Sequence, residues 1–210
     1  MINRNFQKEM DSLISKLKAE DKVPTLMLHS CCAPCSSYVL EYLSEYFRIM
    51  VVYYNPNISK IEEYDLRLAE QKRLIEQMPF KNPVTLIAGE YNPLEFFEIA
   101  KGLEDCRERG KRCHRCYRLR LEYTAKLAKE KGTDYFATTL TLSPLKDAKV
   151  INEIGEELSK KYDTPYLASD FKKKEGYKRS LELSKEYNLY RQSFCGCIYS
   201  QREKNKKEDL

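Results

Sequence analysis

The chain has 210 residues, with 37 Lys and Arg against 32 Asp and Glu and a formal net charge of +5. This length can bury a core without disulfide staples, and the charged N-terminal residues and short apolar runs predict neither a signal peptide nor a membrane span. We therefore expect a cytoplasmic protein with no membrane partner. In that reducing compartment its eight cysteines are expected to serve metal binding or redox chemistry instead of permanent disulfides.

Short apolar runs of strand length alternate with longer amphipathic segments along the whole chain. In chain order, the sequence predicts a helix at about Asn3–Glu20, a strand at Pro24–His29, a helix at Pro34–Tyr46, a strand at Ile49–Tyr54, a helix at Ile61–Gln77, a strand at Val84–Ala88, a helix at Pro93–Lys101, a helix after Cys116, a strand at Tyr135–Thr139, a helix at Lys146–Lys161, a strand at Tyr166–Ala168 and a helix at Tyr177–Tyr187. This order is typical of βαβ units. It predicts an α/β fold with a doubly wound, mostly parallel sheet of about five strands and helices on both faces.

The domain organisation is predicted from composition. The chain contains no linker rich in Pro, Gly and Ser, so we expect a single α/β domain over residues 1–200. Residues 102–116 are highly charged and are predicted to form an excursion that carries one pair of cysteines. Residues 201–210 are dominated by charged side chains and are predicted to form a flexible tail.

Seven of the eight cysteines occur in three tight groups. These are Cys31-Cys32-x-x-Cys35, Cys113-x-x-Cys116 and Cys195-Gly196-Cys197. Closely spaced thiolates are the ligands of zinc ions and iron–sulfur clusters, or the two halves of a dithiol/disulfide couple. The grouping therefore predicts a functional site.

The predicted strands place this site. Cys31 and Cys32 follow the first strand, Thr138 and Thr139 end a later one, and Asp170 follows the last. Ligands in parallel sheets bind beyond the carboxyl ends of the strands, so these residues are expected to converge on one edge of the sheet. The turn around Cys31 has no glycine, which argues against a phosphate-binding loop of the Walker or dinucleotide type.

Two cysteine pairs supply four thiolates, which is enough for either a tetrahedral zinc ion or a [4Fe-4S] cluster. The pairs are Cys31 with Cys32 and Cys113 with Cys116. Adjacent side chains converge less easily on one small ion than on separate corners of a wider cluster. The adjacency of Cys31 and Cys32 therefore favours iron and sulfur, and zinc remains the alternative.

The third group has two interpretations. A permissive glycine between Cys195 and Cys197 allows a strained, easily reduced disulfide suited to redox turnover, but the same two thiolates could complete a metal site. Cys35 is a candidate ligand or resolving thiol. Asp170 is a candidate proton donor, a candidate metal ligand or a helix N-cap.

Basic residues lie near the predicted site in two clusters, within residues 107–120 and 172–179. The sixteen tyrosines of the chain offer rings that can stack on bases. Together these features favour an RNA substrate.

Further motifs extend in order from about residue 25 to residue 200. They are His29-Ser-Cys-Cys-Ala-Pro-Cys-Ser36, Tyr54-Asn-Pro-Asn-Ile58, Glu63-Tyr64 with Arg67, Arg112-Cys-x-x-Cys-Tyr117 with Arg120-Leu121, Ala137-Thr-Thr-Leu140 with Ser143-Pro144, Asp170-Phe-Lys-Lys173 with Gly176-Tyr177 and Ser180, and Tyr190-Arg-Gln192 with Cys195-Gly-Cys197. With these motifs the chain resembles the QueH-type epoxyqueuosine reductases. The resemblance covers nearly the whole chain.

The resemblance implies the last step of queuosine synthesis, in which the epoxide on the cyclopentane ring of epoxyqueuosine in tRNA is reduced to an alkene. Two electrons and two protons are consumed, and the oxygen leaves as water. The partners implied are a tRNA that bears epoxyqueuosine and a low-potential electron donor. The fold implied is Rossmann-like and related to nucleotide-binding enzymes that modify tRNA.

The resemblance also implies site residues. Cys31, Cys32, Cys113 and Cys116 match the positions assigned to a [4Fe-4S] cluster. Cys195 and Cys197 match a redox-active pair. An additional mononuclear iron is implied near the cluster, with Cys195, Cys197 and Asp170 as its candidate ligands.

Two other functions remain open on the residues alone. One is a sulfur-inserting tRNA modification enzyme of the same fold, but the glycine-free turn argues against the ATP-binding loop that it would require. The other is an RNA-binding module stabilised by zinc.

Overall fold

The computed structural model describes residues 4–208. Within that range the helices are α1 (Phe6–Ala19), α2 (Ala33–Leu43), α3 (Ile61–Gln77), α4 (Pro93–Ala100), α5 (Lys111–Lys131), α6 (Ala148–Tyr162), α7 (Gly176–Glu186) and α8 (Ile198–Glu208), and the strands are β1 (Thr25–His29), β2 (Arg48–Tyr53), β3 (Val84–Ala88) and β4 (Tyr135–Thr138). A short 3-10 helix, Thr139–Leu142, follows β4. None of the helices in this range has the length and apolar character needed to cross a membrane.

The four strands form one parallel sheet in the order β3-β2-β1-β4. Alternate residues of β1 face opposite sides of the sheet. Leu26 and Leu28 pack with apolar residues of α1 and α2, whereas Met27 packs with residues of α5 and α6. The predicted α/β fold with a parallel sheet covered on both faces is therefore confirmed.

The predicted fifth strand is reduced to one bridge at the edge of the sheet. Phe136 of β4 donates its N–H to the carbonyl of Pro165 and accepts a hydrogen bond from Leu167, both at 2.9 Å, and a single parallel bridge joins Phe136 to Tyr166. Pro165 has no N–H group, so it cannot extend the pairing toward the start of the segment. The sheet therefore has four full strands.

Most of the predicted C-terminal tail is helical. Residues 198–208 form α8, which therefore includes residues 201–208 of that tail. Its sequence, IYSQREKNKKE, has no apolar stripe, which is why the sequence did not predict a helix there. Residues 209 and 210 lie outside the described range.

The carboxyl ends of β1 and β4 meet as expected. His29 at the end of β1 pairs with Thr138 at the end of β4. The turn that contains Cys31 and Cys32 begins one residue after His29, and the 3-10 helix begins directly after Thr138. The fold thus places the first cysteine group beside the end of β4.

Candidate metal centre

The turn between β1 and α2 brings three thiols together. Cys31 and Cys32 precede α2, and Cys35 lies in its first turn. The sulfur atoms of Cys31 and Cys32 are 3.8 Å apart, and the three sulfur atoms all lie within 4.8 Å of one another. We call these residues the Cys31 trio; their sulfurs are close enough to bind one metal ion.

One thiol of the Cys31 trio is far more acidic than the other two. Hydrogen bonds from Cys32 and Cys35 hold the pKa of Cys31 well below its ordinary value. The same contact with Cys31 raises the pKa of Cys32 to about 12 and that of Cys35 well above its ordinary value. A metal ion that binds all three must therefore displace the protons of Cys32 and Cys35.

Buried polar contacts hold the turn in place. The Nδ1 atom of His29 lies 2.9 Å from the hydroxyl of Thr138, and its Nε2 lies 3.3 Å from the carbonyl oxygen of Tyr54. Burial lowers the pKa of His29 to about 3, so the ring is neutral and Nε2 donates to that carbonyl. Both ring nitrogens are occupied, and His29 therefore supports the turn without ligating a metal. The Cys31 N–H donates to Thr139 Oγ1 at 3.4 Å.

A second group of thiols lines a small cavity. Cys113 and Cys116 lie in the first turns of α5, while Cys195 and Cys197 flank Gly196 just before α8. We call these four cysteines the Cys113 quartet; all of them line the cavity, together with Phe96 and Tyr117. Tyr117 also packs in one apolar cluster with Cys31 and Cys32, and Cys113 packs against that cluster. The two thiol groups are therefore neighbours.

Three thiols of the Cys113 quartet, those of Cys113, Cys116 and Cys197, lie in an environment that disfavours the bare thiolate. Burial raises the pKa of Cys113, raises that of Cys116 to about 11 and raises that of Cys197 to about 12. These thiols are neutral at pH 7, as expected for a donor set that exchanges its protons for a metal. Four soft sulfur donors at one cavity match the ligand sets of zinc and of iron–sulfur clusters.

Arg67 of α3 anchors the segment that carries Cys195. Its side chain is only 2% exposed and forms an ion pair of 2.6 Å with Glu63. The guanidinium donates to the carbonyl oxygens of Cys195 at 3.1 Å and Phe194 at 3.4 Å. A buried cation from α3 therefore fixes the backbone on which half of the Cys113 quartet is carried.

Gly196 fits a position that other residues would strain. Its φ is +112°, a region that L side chains rarely adopt. A Cβ atom there would lie 2.9 Å from Ile58 Cγ1 and 3.2 Å from Arg67 Nη1. Its carbonyl accepts a hydrogen bond from Ser59 N at 3.1 Å. The glycine between Cys195 and Cys197 therefore lets the chain approach the loop after β2 closely.

Two arginines that the sequence placed in an RNA-binding cluster are buried. Arg112 and Arg120 are each 1% exposed. Arg112 donates to the carbonyl oxygens of Leu103, Glu104 and Cys106 at 2.5–3.1 Å and so folds the 102–110 loop onto α5. These two members of the predicted basic cluster therefore lie inside the protein, where their guanidinium groups bond backbone carbonyls.

Arg120 adds positive charge at the Cys113 quartet. It lines the same cavity and bonds the carbonyl of Cys116 at 3.3 Å and Asn55 Oδ1 at 3.3 Å. Its Nη2 atom is buried without a hydrogen-bond partner among residues 4–208. A buried guanidinium so close to thiols favours an anionic group at the cavity.

The second predicted basic cluster is largely paired with acidic groups. Lys172 contacts Asp170 at 2.7 Å, Lys174 contacts Asp11 at 2.7 Å, and Arg179 contacts Glu41 at 2.6 Å. These pairs reduce the positive charge of residues 172–179. The cluster is therefore a weaker RNA-binding surface than its sequence indicates.

Lys146 lies where three cavities meet. It lines the cavity of the Cys113 quartet, a larger cavity of about 410 Å³ that Cys35 and Cys195 also line, and a third cavity lined by Asp170. Burial opposes its charge, but attraction to ionised sulfur in the adjacent thiol groups raises its pKa. Among the described residues no carboxylate pairs with it. Lys146 is thus a cation within reach of both thiol groups.

Seven of the eight cysteines belong to the two thiol groups, and Asp170 lines the third cavity. Asp170 is 14% exposed, pairs with Lys172 and lines the third cavity, which none of the cysteines lines. Cys106 lies in the 102–110 loop and lines none of these three cavities. All eight cysteines are free thiols.

Sequence reasoning missed Lys146 and gave Gln192 no role of its own. Lys146 was the first residue of a predicted amphipathic helix, where a lysine carries no special signal. Gln192 stood within a motif, Tyr190-Arg-Gln192, whose chemistry the sequence does not reveal. Both residues line the larger cavity.

Comparisons with known proteins identify the family. Residues 26–203 match the family model described as epoxyqueuosine reductase QueH. Several bacterial proteins named epoxyqueuosine reductase QueH are similar to the chain. The protein of Staphylococcus epidermidis is 42% identical over 93% of this chain and 84% of its own length, and the protein of Streptococcus pyogenes serotype M1 is 41% identical over 93% of this chain and 78% of its own length. The protein of Thermotoga maritima is 33% identical over 87% of this chain and 93% of its own length. The chain therefore belongs to the epoxyqueuosine reductase QueH family.

Proposed function

We propose that this protein reduces epoxyqueuosine to queuosine in tRNA. Membership of the family supports this function, and the relatives' names specify the reaction. The observation that carries it is the meeting of the Cys31 trio and the Cys113 quartet at the carboxyl edge of the sheet. A [4Fe-4S] cluster ordinarily passes one electron at a time, so a two-electron reduction at such a cluster calls for a second group, and seven gathered thiols supply ligands for two.

The arrangement favours a division of the thiols that differs from the one implied by the resemblance. The Cys113 quartet supplies four thiolates at one cavity, so we assign to it a [4Fe-4S] cluster with one ligand per iron. The Cys31 trio supplies three clustered thiols, one fewer than the four protein ligands of closed structural sites, and we assign to it a single iron ion. In this assignment Cys195 and Cys197 are ligands instead of a redox disulfide.

Bound at these residues, the cluster would supply electrons one at a time, and the single iron ion would supply Lewis acidity. The reaction breaks both carbon–oxygen bonds of the epoxide and forms one carbon–carbon double bond. Two electrons from a low-potential donor and two protons convert the oxygen to water. The protein must therefore deliver protons to that oxygen.

Lys146 is the residue best placed to act on the oxygen. Its ammonium group borders the cavities of both thiol groups and has three N–H donors. We assign to it a hydrogen bond to the departing oxygen, which stabilises the negative charge that develops there. Asp170 and Lys146 both line the third cavity, and we assign to Asp170 the role of orienting the lysine or relaying a proton.

The test is an anaerobic reaction. Iron-loaded protein is incubated with tRNA that contains epoxyqueuosine and a low-potential reductant, and the digested nucleosides are analysed by mass spectrometry. We expect queuosine to accumulate in proportion to loaded enzyme. A protein with full iron and sulfide content that forms no queuosine would contradict the proposal.

The same sample separates the alternative functions. An RNA-binding module would contain zinc without iron or sulfide and would bind tRNA without changing it. A sulfur-inserting enzyme would require ATP and would add sulfur to a nucleoside. Metal analysis and nucleoside masses distinguish all three outcomes.

A further inference from the structure

The larger cavity beside the thiols has the shape and lining of a ligand site. Its volume of about 410 Å³ lies within the range typical of small-molecule pockets. Cys35 and Cys195 form part of its wall, so it opens onto both thiol groups. Residues Leu142–Lys146 line one part of it and residues Arg191–Cys195 line another. A group bound there would reach the reactive centre directly.

Gln192 lines this cavity and carries an unused hydrogen-bond acceptor. Its Oε1 atom is shielded from solvent and has no partner among the described residues. A buried polar atom without a partner is destabilising, and proteins retain such atoms where a ligand completes the bond.

The chain on both sides of Gln192 is held rigidly. The N–H of Tyr190 donates to Glu70 at 2.7 Å, and its hydroxyl donates to Glu63 at 3.1 Å. The carbonyl of Phe194 accepts from Arg67, whose guanidinium also lies 5.5 Å from the Phe194 ring centre. The acceptor of Gln192 is therefore preorganised, which reduces the entropy cost of binding a ligand.

We propose that this cavity holds the target base of the tRNA, turned out of its stack, and that Gln192 Oε1 accepts a hydrogen bond from the donor edge of that base. The inference rests on the proposed function, because queuosine is a guanosine derivative and keeps the N–H and amino donors of guanine. Enzymes that act on a base read its edge in this way after extruding it. Tyr177, which lines the cavity and is 37% exposed, offers a ring on which the base can stack.

The test measures binding, separately from reduction. Iron-loaded protein is titrated with two anticodon stem-loop RNAs that differ only in guanosine or adenosine at the wobble position. Adenosine lacks the N1–H and 2-amino donors of guanosine and carries its single amino donor at C6 instead. We expect the wild type to bind the guanosine RNA about tenfold more tightly. In Gln192→Leu this preference should fall to less than about twofold, with iron and sulfide content unchanged.

Control variants make the result specific. Gln77→Leu changes an exposed glutamine at the end of α3 and should keep the preference of the wild type. Tyr177→Ala should weaken binding of both RNAs by about fivefold or more while keeping the preference, because stacking does not depend on the base edge.

Three outcomes would count against the pocket: a wild type that does not distinguish the two RNAs, a Gln192→Leu variant that keeps the full preference, and a Tyr177→Ala variant that binds as the wild type does. Loss of iron from Gln192→Leu would also overturn it, because the residue would then support the metal centre. If the wild type also fails to form queuosine from epoxyqueuosine tRNA, the proposed function fails as well. If it forms queuosine, only the assignment of the base pocket is lost.

Discussion

The guanidinium of Arg67 donates to the carbonyl oxygen of Cys195 at 3.1 Å across 128 positions of the sequence. This contact ties α3 to the C-terminal segment that supplies half of the Cys113 quartet. Because Arg67 is buried and paired with Glu63, its guanidinium is held in place and fixes the position of that segment. The position of half of the candidate metal centre therefore depends on a residue outside the two thiol groups.

Replacing Arg67 should disturb both folding and metal content. In Arg67→Met, Glu63 loses its buried partner and two backbone carbonyls lose their donor, which we expect to lower the free energy of unfolding by about 3 kcal/mol. Bound iron should fall because Cys195 is no longer held in place. Lys72→Met is the matched control, since Lys72 on the same helix is 70% exposed and its loss should cost less than about 0.5 kcal/mol. Equal iron content in wild type and Arg67→Met would contradict this role.

The assignment of a cluster to the Cys113 quartet predicts how substitutions change the iron and sulfide content of the protein. Cys195→Ser and Cys197→Ser should each lose most of the acid-labile sulfide and most of the iron, because each removes one of four ligands. Cys106→Ser is the control and should retain both. If the Cys195 and Cys197 variants instead keep the brown absorbance of the cluster and lose only reduction, the two residues form a redox pair and the ligand assignment is wrong.

The assignment of a single iron ion to the Cys31 trio predicts loss of iron without loss of sulfide. In Cys35→Ser, iron should fall while acid-labile sulfide stays at the wild-type level, because the single ion is lost and the cluster remains. Chemical analysis of the two elements on anaerobically purified protein checks this. A parallel loss of iron and sulfide would place Cys35 among the cluster ligands instead.

The sheet and most helices could be predicted because each depends on local patterns. The bounds of α3 and β3 match the predicted ones, since apolar periodicity and flanking Pro and Asn residues mark them. The convergence of Cys31 with Thr138 and Thr139 also followed from parallel topology. The fifth strand is reduced to one bridge, and the missing N–H of Pro165 prevents its extension toward the start of the segment.

The division of the thiols into the Cys31 trio and the Cys113 quartet could not be predicted from the sequence. Cys35 joins Cys31 and Cys32 because the helix that follows them begins immediately, whereas Cys195 and Cys197 reach α5 only because Arg67 and the loop after β2 hold their segment there. The burial of Arg112 and Arg120 was missed for a similar reason. Charged residues are expected at the surface, and only the fold reveals the backbone carbonyls that satisfy them.

Gly155 of α6 allows close packing against Tyr166. A Cβ atom at this position would lie 2.4 Å from two carbons of the Tyr166 ring, which itself packs against Phe136 at the sheet edge. Alanine normally stabilises a helix by about 1 kcal/mol relative to glycine, but the overlap should dominate. We expect Gly155→Ala to lower the free energy of unfolding by about 2 kcal/mol in chemical denaturation.

The double variant tests the contact itself. Tyr166→Leu removes the ring, so adding Gly155→Ala to it should cost much less than Gly155→Ala costs alone. Equal costs in the two backgrounds would show that the ring is not the obstacle.

Asp134 joins the starts of β1 and β4 and gives stability a pH dependence. Its Oδ2 accepts hydrogen bonds from both the N–H and the hydroxyl of Thr25 at 2.7 Å. These bonds favour the ionised carboxylate and hold the pKa of Asp134 below its ordinary value of 3.8. The stabilisation is therefore complete above about pH 4 and is lost as the pH falls through the lower pKa of the folded state.

Asp134→Ala measures this contribution. Because the carboxylate is exposed, solvent weakens the interaction, and we expect the variant to be about 1 kcal/mol less stable at pH 7. Denaturant unfolding at pH 3 should show a smaller difference between variant and wild type, since part of the wild-type carboxylate is then protonated. Asp65→Ala, an exposed position on α3, is the control and should change stability little at either pH. A difference that grows on acidification would mean that Asp134 stabilises the fold in its protonated form, contrary to the two hydrogen bonds that it accepts from Thr25.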